Sequence, residues 1–104
     1  MPSIEIAGKQ VNVNDEGFLT VYDEWSEEIA KVLAAQVEIE LTPRHWEVIH
    51  FLRGDYMKEG ESSTSRHTQT VGGFPIKEQF ELFPKKPAKK MSYIAGLPKP
   101  KGCV

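Results

Sequence analysis

The chain holds one cysteine, Cys103, among 104 residues. No intramolecular disulfide can form. A lone thiol fits a reducing compartment, because small secreted domains usually carry even sets of cysteines. Long apolar runs are missing too, with none near the roughly 20 residues that cross a bilayer. Met1-Pro2-Ser3-Ile4-Glu5 lacks the charged, apolar and small-residue regions of a signal peptide. The expected location is therefore the cytoplasm, with no membrane partner. There is no basic excess: the formal net charge of -2 argues against nucleic-acid binding by bulk charge. His45, His50, His67 and Cys103 show no metal-ligand spacing, so no metal is expected. No catalytic triad, metal cluster or phosphate loop is visible, so no cofactor is expected, and any turnover should need partner enzymes.

The chain is long enough for a single core, and its apolar pattern divides into a few elements. Ile4-Glu5-Ile6 and Val11-Asn12-Val13 alternate apolar and polar residues, and Gly17-Phe18-Leu19 follows, which predicts a small β-meander. Asp23 or Ser26 can cap a helix with apolar positions Trp25, Ile29, Val32, Leu33 and Val37. Thr42-Pro43 is a strong start for a central helix carrying Trp46, Ile49, Phe51, Leu52 and Tyr56 inward. The polar stretch from Gly60 to Thr70 predicts a loop with one helical turn. Pro75 opens a short helix whose stripe is Phe74, Ile76, Phe80 and Phe83, and Pro84 stops it. Pro87 starts the last helix, with Gly96 just beyond its end. These elements predict an α+β fold, a small N-terminal β-meander packed on a helical bundle. One globular domain would span residues 1–96, and residues 97–104 would form an extended, mobile C-terminal arm.

That arm, Leu97-Pro98-Lys99-Pro100-Lys101-Gly102-Cys103-Val104, is the most distinctive segment. Two prolines favour extended backbone, and at roughly 3.1–3.5 Å per residue the thiol could reach about 25 Å. Sulfur transfer needs a thiolate that attacks a donor persulfide and then surrenders the terminal sulfur, and Cys103 suits that chemistry as the catalytic group. Lys99 and Lys101 are close enough in sequence to favour the thiolate, against the opposing Val104 carboxylate. Arg66 is a candidate for holding the arm or its carboxylate, with an ordinary surface arginine as the plain alternative. His45 and His50 read as structural, and His67 as a general base that nothing yet fixes near Cys103. Lys85, Lys86, Lys89 and Lys90 are either a solvated face or a docking patch for an acidic partner or a tRNA-holding complex.

Leu41-Thr42-Pro43-Arg44-His45-Trp46-Glu47-Val48-Ile49 and Ile94-Ala95-Gly96-Leu97-Pro98-Lys99-Pro100-Lys101-Gly102-Cys103-Val104 resemble the DsrC/TusE family of sulfur-trafficking proteins. The resemblance extends to Asp15-Glu16-Gly17-Phe18-Leu19, Glu24-Trp25-Ser26-Glu27-Glu28 and Leu82-Phe83-Pro84 with Pro87-Ala88-Lys89. It implies an α+β fold whose penultimate cysteine, here Cys103, carries sulfur as a persulfide. DsrC proteins proper have a second cysteine separated from it by ten residues, a position held here by Ser92. A serine cannot join the disulfide or trisulfide of dissimilatory sulfite reduction, so the single-cysteine pattern is closer to TusE. Two other departures are the polar, shortened stretch around Arg66 and the presence of Lys86 where the family has glycine before Pro87.

The reading that follows is a sulfur carrier that loads on Cys103 and passes sulfur to a partner, as in a tRNA 2-thiouridine relay. The partners implied are donor and acceptor proteins, with tRNA met only through an acceptor. One alternative is a DsrC-type partner of sulfite reductase or sulfur oxidation working through one cysteine. The other is a regulatory nucleic-acid-binding module built on a helix-turn-helix near Glu38 to Thr42, for which Cys103 would be dispensable.

Overall fold

A computed structural model describes residues 3–100. Lys101 and Cys103 lie outside the described residues, as does the second half of the expected arm.

The chain opens with a hairpin, β1 (Ser3–Ile6) and β2 (Lys9–Asn12), in the register Ser3↔Asn12 to Ile6↔Lys9. Its two-residue turn is Ala7-Gly8, both at positive φ (53° and 80°), the handedness that matches strand twist. The expected third strand is reduced to one bridge, Val13↔Leu19. The reason lies in Asn14, whose side chain accepts from the amides of Glu16 (2.9 Å) and Phe18 (3.0 Å) and curls the chain into a turn. Ile6, Val11, Val13, Phe18 and Leu19 are buried, so this small β layer faces the helices.

Helix α1 (Glu27–Gln36) is capped by Ser26, whose hydroxyl accepts from the Ile29 amide. Asp23 instead belongs to a 3-10 turn over Tyr22–Glu24. Trp25 and Val37 flank α1 rather than lying inside it. Helix α2 (Pro43–Glu59) starts at Thr42-Pro43 as the sequence predicts. Its cap is reciprocal: the Thr42 hydroxyl accepts from the His45 amide, and His45 Nδ1 accepts from the Thr42 amide at 3.0 Å. His45 Nε2 then donates to Leu82 O at 2.7 Å, so this buried imidazole joins the start of α2 to the end of a later helix. Its role is structural.

The polar stretch after Gly60 forms α3 (Ser65–Thr70), capped by Thr64. Helix α4 (Ile76–Leu82) follows Pro75, with an inward face that departs from expectation. Phe80 is 52% exposed, whereas Gln79 is fully buried. The Gln79 amide donates to Ser65 O (3.0 Å) and Phe74 O (2.8 Å), satisfying two carbonyls that an aromatic ring would orphan. Helix α5 (Pro87–Ile94) packs against α1, α2 and α4. It carries Ala88, Met91 and Ile94 into the centre of the core. The fold is thus a small antiparallel sheet against five helices, and α5 delivers the chain toward Cys103.

Candidate functional site

The C-terminal segment is rooted where α5 ends. Gly96 has φ 71°, and a Cβ there would collide with the Trp25 indole, 2.8 Å from its Cγ. Only glycine serves both needs. The carbonyls freed at the helix end are each taken. Trp25 Nε1 donates to Ile94 O at 2.9 Å, and Arg53 Nη1 donates to Ala95 O at 2.8 Å. Leu97 N donates back to Ser92 O at 3.0 Å. Leu97 is fully buried, so the chain stays against the body beyond Gly96, and the Ser62 hydroxyl donates to Pro98 O. Pro100 is also buried.

Arg53 is the keystone of this root. Its Nη2 donates to Tyr22 O at 2.9 Å, and its guanidinium lies over the rings of Tyr22 (3.9 Å) and Trp25 (4.2 Å). Tyr22 returns a hydrogen bond from its hydroxyl to Arg53 O. Desolvation pulls the Arg53 pKa below the ordinary arginine value, partly countered by Tyr22 and Asp23. The sequence reading passed over Arg53. Its only signal was a charged residue on the apolar side of α2, between Leu52 and Tyr56.

Arg66, the arginine singled out from sequence, is exposed on α3, and its side chain makes no hydrogen bond or ion pair among the described residues. Lys99 lies 3.4 Å from Glu16 Oε2, an ion pair that draws this lysine toward the β layer. Ser92, at the second-cysteine position, is fully buried, and its hydroxyl has no partner among the described residues. His67 is brought to Asp55, Nε2 to Oδ1 at 2.9 Å. His50 pairs with Glu27 at 3.5 Å and stacks on Trp46.

Beside the root lies a cavity of about 470 Å³, floored by Phe18, Val37 and Tyr93 and rimmed by Lys85, Lys86, Lys89 and Lys90. Burial raises the Tyr93 phenol above its ordinary value, and the ring meets Phe18 edge-on. Lys90 Nζ donates to Pro84 O, and Lys89 Nζ is 3.9 Å from Glu16, so the rim is partly braced from within. The four lysines therefore form one electropositive face around an apolar floor.

The root, the buried helix that ends in it and the segment beyond it define a small α+β protein whose last described residues are held against its body. Residues 5–104 match the family described as DsrC like protein, and the chain belongs to that family. It is 38% identical over 104 residues to the sulfurtransferase TusE of Escherichia coli (strain K12), covering 93% of this chain and 95% of that one. It is 37% identical over 105 residues to the dissimilatory-type sulfite reductase subunit gamma of Nitratidesulfovibrio vulgaris, covering all of both. Among solved structures, the NMR structure of Allochromatium vinosum DsrC superposes with a TM-score of 0.83 at 40% identity, over 98% of this chain and 97% of that one. The oxidized gamma subunit from Archaeoglobus fulgidus gives a TM-score of 0.76 at 36% identity, over 99% and 100%. No described helix is long and apolar enough to cross a membrane.

Proposed function

We propose that this protein is a sulfur carrier of the TusE type, loading persulfide sulfur on Cys103 and handing it to an acceptor protein. The observation that carries this reading is the single penultimate cysteine at the end of a segment whose root is pinned by Trp25, Arg53 and Ser62. In loading, the Cys103 thiolate attacks the outer sulfur of a donor persulfide. The donor's sulfur–sulfur bond breaks, the donor departs as a thiolate, and Cys103 holds the sulfur in a new sulfur–sulfur bond. Unloading repeats the exchange with an acceptor thiol, so neither step needs an outside oxidant. Lys99 and Lys101 stand close to the thiol in sequence and would favour its ionised form, and Arg66 is an exposed candidate for engaging the segment or a partner. The lysine face around Phe18 and Tyr93 suits an acidic docking partner, with tRNA engaged only through an acceptor.

A DsrC-type role beside a sulfite reductase is the second reading, supported by the similarity to gamma subunits. It would have to run on one thiol, because Ser92 cannot form a disulfide and is buried. A helix-turn-helix reading is disfavoured by α2, whose Val48, Ile49 and Leu52 are buried in the body rather than free to enter a groove.

Intact-mass measurement after incubation with a cysteine desulfurase and cysteine tests the carrier reading. Wild type should gain about 32 Da per sulfur atom, lost on reduction, and Cys103→Ser should gain nothing. An equal gain on Cys103→Ser, or none on wild type with an active donor, would overturn it.

A further inference from the structure

Asp55 and Glu59 stand one turn apart on α2, and α3 brings His67 up to them. One ligand atom from each of the three lies within 4.8 Å of the others. They line a cavity of about 190 Å³ together with Ser62, Ser63 and Thr64. The second, independent observation is the state of Asp55. This residue is only 6% exposed, yet its Oδ2 is buried with no hydrogen-bond partner among the described residues. The His67 imidazole serves the other oxygen alone, at 2.9 Å. A buried carboxylate oxygen left without a donor calls for a partner of its own.

We propose that Asp55, Glu59 and His67 form a binding site for a divalent first-row transition cation. One imidazole and two carboxylates are a borderline donor set that suits Zn²⁺ and its neighbours, whereas Mg²⁺ and Ca²⁺ prefer shells made wholly of oxygen. Three protein ligands leave a position for water or for one of the lining hydroxyls. Binding through His67 Nε2 needs a neutral ring whose proton sits on Nδ1. The cation would join α2 to α3. Ser62 extends that link, because it lines the same cavity and donates to Pro98 O at the root of the C-terminal segment. Histidine and cysteine spacing alone could not point to this cluster, because two of its three members are carboxylates.

The test is a titration of the metal-stripped, full-length Cys103→Ser protein with Zn²⁺ against a chromophoric chelator, the serine removing the competing thiol. One equivalent should bind. Asp55→Asn, Glu59→Gln and His67→Gln should each weaken binding about tenfold or more. Glu59 is exposed, so its variant keeps the fold, and circular dichroism checks the other two. With Co²⁺ as the probe, the wild-type protein should show ligand-field absorption without a thiolate charge-transfer band. Absence of Zn²⁺ binding, binding unchanged by the three substitutions, or binding that requires Cys103 would each overturn the proposal.

Discussion

Lys85 and Lys86 both hold left-handed backbone, at φ 62° and 50°. For a residue with a side chain that conformation costs roughly 1–2 kcal/mol, whereas glycine adopts it freely. The strain lies where the family resemblance expects glycine before Pro87. Two consecutive left-handed residues turn the chain sharply into α5 and set neighbouring lysines on the rim of one cavity. Lys86→Gly should stabilise the fold by about 1 kcal/mol, after allowing for glycine's extra freedom when unfolded. In a domain this size that corresponds to a Tm increase of roughly 4–8 °C, which calorimetry can check. At this scale the sequence was read well where chemistry is local. Thr42 and Pro43 start α2, and Gly96 ends the last helix, because caps depend on immediate neighbours. It was read poorly at Gln79 and Phe80. Which of two adjacent residues turns inward was decided by the carbonyls of Ser65 and Phe74, which α3 and its following turn bring to the helix.

Between elements, the clearest tie is Arg44 on α2 with Glu78 on α4, a two-pronged contact with Nε and Nη2 both 2.8 Å from the carboxylate. The guanidinium also covers the Phe74 ring at 4.5 Å. Arg44 holds the Glu78 carboxyl below the usual carboxylate range, chiefly by hydrogen bonding, against the opposing effect of burial. A depressed acid stabilises the fold at pH values above its unfolded pKa, and that contribution fades as pH falls through the folded value. Thermal unfolding of wild type and Glu78→Gln should therefore differ most near neutral pH. The two curves should converge in acid, below the ordinary carboxylate range. Equal stability at every pH would mean that the pair contributes nothing. Neither partner's role could be read from sequence, where the two lie 34 positions apart. Arg53 escaped notice for the same reason, since its partners Tyr22 and Ala95 lie far away in the chain.

For the whole molecule, the α+β architecture and the order of its helices were legible because each element carries its own start and stop signals. The convergence of α2 and α3 on the cluster of Asp55 and His67 was not. The charge asymmetry of the chain becomes a geometric one. Lysines 85, 86, 89 and 90 gather around Phe18 and Tyr93, although the protein as a whole is slightly acidic. If this face docks an acidic acceptor, changing those four lysines to glutamine should slow association about tenfold at low salt. The deficit should shrink as salt rises, since screening weakens the steering available to the wild type. Stopped-flow mixing with the acceptor over a salt series measures it, and a salt-independent rate would point to a different docking face.

The hydrogen bond from Ser62 to Pro98 also sets a ruler. Cys103 lies five positions beyond Pro98, and a fully extended chain of that length spans at most about 18 Å. If Cys103 carries the sulfur, then while that anchor holds an acceptor can receive it only where its reacting atom lies within about this radius of Pro98. A deeper reaction centre would require the anchor to open first, so the depth of a partner's entrance becomes a criterion for which proteins this carrier can serve.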